Sequence, residues 1–170
     1  MSLRRLGADH IGLFQLDRVD PKVPLEDQAG EPKRLQDEGK IVAVGLSQVT
    51  VAQIERARAV VEITTVHNRH HLTDRGCVGV LEYCTRHRIG FIPWTPAAAG
   101  EPARPGGPID RIAAARHTGP SQVAPAWLPA RSGVVLPLPG NPKVTYLEEN
   151  LAAATLRLSD AETGELTAAA

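Results

Sequence analysis

Short apolar runs without strict alternation recur along the chain, separated by polar stretches whose apolar positions repeat every three to four residues. HIGLFQL (10–16) is one such run; it stops abruptly in Asp17, Arg18 and Asp20, with Pro21 behind them. KIVAVGLS (40–47), EITTVHN (62–68), IGFIPW (89–94) and GVVLPLPG (133–140) share its character. Runs that are apolar on both faces suit a parallel sheet covered on both sides, so these five are predicted strands. Between them lie predicted helices. Residues 24–38 have helical composition and stop at Gly39. In TVAQIERARAVV (50–61), Thr50 is a good N-cap and Gln53 completes a capping box, while Val51, Ile54, Ala57, Arg58 and Val61 fall at helical spacing. Further helices are predicted over about 74–87, over 109–117 and 120–131, and from 143, with a terminal helix over 159–170. TPAAAGEPARPGGP (95–108) is a loop. Strand–helix alternation this regular implies a parallel sheet with right-handed crossovers, here in a single domain over residues 1–170.

Prolines interrupt two of these helices. Gly30 and Pro32 fall inside the first long one, and Pro125 and Pro129 lie one turn apart in QVAPAWLPAR. An interior proline removes an amide donor and clashes with the preceding turn, at about 3 kcal/mol. Either those segments are not continuous helices, or the chain is only marginally stable.

Composition narrows the function. The chain has 19 Lys plus Arg against 19 Asp plus Glu in 170 residues, so no overall field draws it to nucleic acid or an anionic membrane. Its longest apolar runs fall far short of the roughly 20 residues a membrane helix needs. MSLRRLGADH has arginines but no apolar region behind them, so a cytoplasmic location is expected. Cys77 and Cys84, seven apart in a helix-like segment, sit too far apart to bond each other and are expected as buried or half-buried thiols. HNRHH (67–71) places three histidines at i, i+3 and i+4, a metal-ligating pattern only on a helix; following a strand and with no clear fourth ligand, it is not expected to bind metal. Neither G-x-S-x-G, nor G-x-G-x-x-G after a strand, nor the phosphate-loop signature occurs.

Charged residues just past the carboxyl end of a parallel strand stand where α/β proteins keep their chemistry, which singles out Asp17. At this point the chain resembles a known family. SLRRLGADHIGLFQLDRVDP, DEGKIVAVGLSQVTVAQIERA, TTVHNRHHLTDR, GFIPWTPAAAG and LPLPGNPKVTYLEENLAAA look, in this order, like the second half of an aldo-keto reductase, with the bacterial oxidoreductases nearest in feel. The resemblance implies a partial (β/α)8 TIM barrel, about strands 4–8 with their helices. It implies NADPH as cofactor and carbonyl reduction as the family's activity. The family's catalytic Asp, Tyr and Lys belong to strands without counterpart here. Its histidine, in segments resembling LYQLHRVD, is matched by Asp17. An ionised carboxylate accepts hydrogen bonds and cannot donate one to a developing oxyanion, so Asp17 is not expected to replace that histidine.

For the cofactor, the resemblance assigns Ser47 and Gln48 to the nicotinamide carboxamide, together with His67, which stands where the family has Gln in VQN. Trp94 would stack on the nicotinamide. Thr95 opens the loop that follows where the pyrophosphate is held. Lys143 and the adjoining helix start would meet the adenosine 2′-phosphate, and Glu149 and Asn150 the adenine; Tyr146 replaces an arginine of many members. Three functions follow as expectations. One is an NADPH-binding oxidoreductase fragment with little or no activity alone. Another is a non-catalytic half-barrel that pairs with itself or a partner chain through open sheet edges. The third is a small enzyme using Asp17 and His67 as an acid–base pair.

Overall fold

The computed structural model describes residues 2–94, 105–140 and 143–169. A short helix, α1 (Ser2–Leu6), leads into β1 (Ile11–Leu16), α2 (Leu25–Asp37), β2 (Ile41–Ser47), α3 (Val51–Arg58), β3 (Ile63–Arg69), α4 (Val78–His87) and β4 (Gly90–Trp94). Then come α5 (Pro108–Ala115), α6 (Pro120–Arg131), α7 (Val144–Thr155) and α8 (Asp160–Ala168). The four strands form one parallel sheet in the order β1-β2-β3-β4, with β1 at its edge. By contact density the chain divides into two compact units, residues 1–68 with 79–91, and residues 69–78 with 92–170.

In the first unit, α3 starts where its cap dictates. Thr50 Oγ1 accepts from the Gln53 amide and the Gln53 side chain accepts from the Thr50 amide, so two otherwise orphaned donors are satisfied. Gly39, at φ +70°, ends α2 in a conformation that other residues resist. Apolar side chains on one sheet face and one stripe of each helix (Val44, Leu46, Ile54, Val66, Leu81) are almost wholly removed from water. Arg58, at an apolar-stripe spacing, is instead exposed at its helix end and donates from Nη1 to the Tyr83 hydroxyl at 2.8 Å.

Register decides what the other sheet face carries. Gln15 pairs with Gly45, Gly45 with Thr65, and Ser47 with His67, and residues opposite one another point to the same side. Gln15 Nε2 reaches across to donate to Thr65 Oγ1 at 3.2 Å. Gly45 makes this crossing possible: a Cβ there would lie 2.3 Å from Thr65 Oγ1 and 2.9 Å from Gln15 Cγ.

The second unit is built around α6. Its Trp127 and Leu128 are fully buried, and α5, α7 and α8 all pack on this helix or on one another. α8 opens with a second capping box, Ser159 with Glu162, and its Thr167 accepts the Trp127 indole N–H at 3.0 Å. Arg116 grips Glu162 through both carboxylate oxygens at 2.6 and 2.8 Å.

Three expectations change. The helices with interior prolines are continuous: Pro32 lies within α2 and Pro125 and Pro129 within α6. Pro120 takes the first turn of α6, where no amide donor is needed, and burial of Val123, Trp127 and Leu128 offsets the two missing interior bonds. Residues 133–140 do not form the fifth strand; there Leu138 makes an isolated parallel bridge with Trp94. Pro137 and Pro139 hold φ near −65°, against roughly −120° in a parallel strand, and lack amide donors, so no ladder extends from that bridge. Finally, α4 begins at Val78, so Cys77 precedes it; the Cys77 thiol is half-buried and the Cys84 thiol buried.

Candidate functional site

In the first unit, four of the sequence-predicted residues come together at the carboxyl ends of β1, β2 and β3. Asp17 is exposed just past β1. Ser47, the last residue of β2, is 4% exposed and donates from Oγ to the His67 carbonyl at 3.0 Å. The Gln48 amide donates to the same carbonyl at 3.0 Å. Gln48 has φ 57°, a left-handed conformation that turns the chain out of the strand and leaves its side chain exposed. His67 is half-buried, and its Nε2 is enclosed without a hydrogen-bond partner. Burial pushes the His67 imidazole below its ordinary pKa, and the nearby Asp17 carboxylate opposes that shift in part.

A residue that sequence reasoning passed over holds this cluster in shape. Asn68, 5% exposed, accepts from the Val49 amide at 3.1 Å through Oδ1 and donates to the Val49 carbonyl at 2.8 Å through Nδ2. An amide side chain is well suited to this: it presents a donor and an acceptor side by side in one plane. The two bonds tie the turn that carries Ser47 and Gln48 to the end of β3. The only sequence signal was an asparagine at the end of the predicted strand EITTVHN. Chemically, the cluster offers Ser47 lone pairs and an unpartnered imidazole nitrogen, a set that fits a small planar group bearing both donors and acceptors.

The second unit carries the other predicted residues. Trp94 ends β4 and is half-buried, while Thr95 lies outside the described residues. Lys143 is the N-cap of α7, exposed, with no side-chain cap bond, and its Nζ lies 5.5 Å from the centre of the Tyr146 ring. A cation–π contact at that distance fits the arginine-to-tyrosine change noted above. Glu149 and Asn150 are half-buried on α7, and Glu149 accepts from Ser121 Oγ at 3.1 Å. Of the three histidines of HNRHH, His67 is on β3 and His70 and His71 are buried beyond it; burial drives the His70 pKa down to about 4. Among the described residues, no group of three or more His, Cys, Asp and Glu is placed to hold a metal ion, and no helix is long and apolar enough to cross a membrane.

A parallel strand–helix succession with polar residues at adjoining carboxyl strand ends suits an α/β barrel, of which this chain forms a part with four strands. The model of the aldo/keto reductase family matches residues 1–102, and the chain belongs to that family. It is 46% identical over 159 residues to an uncharacterized oxidoreductase of Schizosaccharomyces pombe, covering 94% of this chain and 52% of that protein. Among solved structures, a thermostable aldo-keto reductase in complex with the inhibitor epalrestat matches with a TM-score of 0.93 at 24% identity, over 99% of this chain and 63% of that one. An aldo/keto reductase from Klebsiella pneumoniae in complex with NADP and acetate matches with a TM-score of 0.86 at 28% identity, over 97% of this chain and 60% of that one. The chain thus spans about half the length of the curated relatives it matches, 52% of one and 59% of another.

Proposed function

We propose that this chain binds NADPH and carries part of the cofactor machinery of an aldo/keto reductase, with little or no carbonyl reduction on its own. When bound, the cofactor would supply a hydride. In the first unit Ser47, Gln48 and His67 would hold the carboxamide; in the second, Trp94 would stack on the nicotinamide, with Thr95 following it, and Lys143 would meet the 2′-phosphate with Glu149 and Asn150 on the adenine. The observation that carries the reading is the Ser47 hydroxyl bonded to the His67 carbonyl, with the His67 Nε2 enclosed and unpartnered, at adjoining strand ends. An orphaned buried nitrogen is costly, and a ligand that hydrogen-bonds it relieves that cost. Support for the nucleotide comes from the Klebsiella neighbour, which was crystallised with NADP.

Weak turnover follows from Asp17. Exposed and acceptor-only when ionised, it cannot donate to an oxyanion, and its charge would oppose one. Thermal unfolding with NADPH and NADH in parallel tests the reading. A midpoint that rises with NADPH, and less with NADH, supports it, because a ligand that binds only the folded state stabilises by mass action. A cooperative transition unmoved by either nucleotide sinks it. A second reading, assembly through a sheet edge, draws on β1, which among the described residues pairs with β2 alone and exposes 38% of Leu13. Cofactor-independent, concentration-dependent self-association in sedimentation would favour it. An acid–base role for Asp17 and His67 would require an activity that Asp17→Asn abolishes.

A further inference from the structure

Arg69 ends β3 and Trp94 ends β4, and the two side chains are stacked. The Arg69 guanidinium carbon lies over the Trp94 ring, 5.6 Å from its centre. Arg69 Nε is also 3.0 Å from Asp74 Oδ2. Asp74 is itself well anchored. Its backbone makes a two-way bridge with His71, at 3.0 and 3.1 Å, and its Oδ1 accepts from the Gly76 amide at 3.3 Å. At the far end, the Trp94 backbone is bridged to Leu138. The indole is therefore held from its backbone and from one face at once, and the cation on that face is balanced by a fixed carboxylate.

We propose that Arg69, braced by Asp74, is a positioning residue for Trp94: it occupies one face of the indole and presents the other to a planar, electron-poor ring. This rests on the cofactor reading above, in which that ring is a nicotinamide. Two physical consequences follow. Without Arg69 the indole gains rotational freedom and solvent on its covered face, so stacking costs more ordering entropy. Without the Asp74 charge the guanidinium is unbalanced beside the ligand. An oxidised nicotinamide ring is cationic and a reduced one neutral, so only the oxidised form feels that imbalance. With stacked rings about 3.5 Å apart, the two charges would stand roughly 9 Å apart. At an effective dielectric of about 20 and a screening length of about 8 Å, Arg69's repulsion of an oxidised ring at that separation is worth about threefold in affinity, and the Asp74 charge offsets up to that much.

Trp94 emission is read as the difference between wild type and Trp94→Phe, which leaves the signal of Trp127, the other tryptophan, unchanged. In the first arm, without cofactor, Arg69→Ala is expected to raise acrylamide quenching of Trp94 about twofold, with Arg69→Lys intermediate and far-ultraviolet circular dichroism unchanged. Arg69→Ala with wild-type quenching overturns the bracing. In the second arm, NADPH and NADP⁺ are titrated against wild type and Asp74→Asn, whose single amide oxygen keeps the bond from the Gly76 amide while the charge beside Arg69 is removed. The variant is expected to lose more affinity for NADP⁺ than for NADPH, by up to about threefold; equal losses overturn the charge balance. If wild type is quenched by neither nucleotide, the cofactor reading fails and takes the ligand-facing half of the proposal with it. The first arm then still decides whether Arg69 braces the ring.

Discussion

Replacing Gly45 by alanine tests whether the sheet face carrying Gln15 and Thr65 is packed as described. The new Cβ would sit 2.3 Å from Thr65 Oγ1 and 2.9 Å from Gln15 Cγ, well inside contact distance. β2 is bonded on both sides, to β1 and to β3, so its backbone has little room to retreat. Thr65 is stiff about χ1 and 6% exposed, and rotating it away breaks its bond with Gln15. Overpacking of this kind costs about 1–3 kcal/mol, and the lost hydrogen bond about 1 kcal/mol more. Against that, removing glycine from the unfolded chain returns about 0.4–1 kcal/mol. The net expectation is a loss of about 2–3 kcal/mol, or roughly 4–12 °C in the unfolding midpoint for a chain of this size. Urea and thermal unfolding followed by circular dichroism measure it. A double-mutant cycle with Thr65→Ala should recover more than about 1 kcal/mol, because the main obstacle is gone. Gly45→Ala at wild-type stability, or no coupling to Thr65, would refute the packing.

Asn68→Ala removes both bonds to the buried Val49 backbone and should cost about 2–4 kcal/mol in urea. Asn68→Asp should not restore it, since a carboxylate cannot donate to the Val49 carbonyl; a loss below about 1 kcal/mol for either would dismiss the clamp. Stability should also fall on acidification. Burial holds the His70 pKa near 4, so the unfolded chain takes up a proton below about pH 6.5 while the folded chain resists until about 4. The contribution is fully present above pH 6.5, declines between pH 6.5 and 4, and is flat below. Allowing for solvent screening it amounts to about 1–3 kcal/mol, with His67 adding in the same direction. Urea midpoints at pH 7.5, 6 and 5 follow it, and an unchanged slope in His70→Gln would rule His70 out as its source.

Features that depend on neighbours in sequence were legible before the fold was known. Thr50 and Gln53 announced the start of α3, and Gly39 the end of α2, because caps and left-handed stops are local geometry. GVVLPLPG misled because an apolar run looks the same whether or not its backbone can pair; the prolines within it decide that through φ. For Pro125 and Pro129 the sequence left continuity of the helix open, since burial around Trp127 is a tertiary effect that propensity does not contain. At the candidate site, Asp17 could be marked by its place past a strand end, and Ser47 and His67 by the family resemblance of the segments that carry them. The Asn68 link to Val49, nineteen residues away, and the Arg69 stack on Trp94 depend on strand register, which no single stretch of sequence encodes.

The two prolines between Leu136 and Gly140 have a consequence for how the folded chain meets other chains in solution. Leu136 and Leu138 are 57% and 55% exposed, in an uncharged, branched-apolar stretch of the kind that nucleates cross-β aggregates. Backbone donors of alternate residues face opposite edges of an extended segment. Pro137 and Pro139 therefore leave one edge without a single donor, while Leu138 on the other edge is already bridged to Trp94. The segment is a gatekept one, with a neighbour on one side and no handhold for a foreign strand on the other.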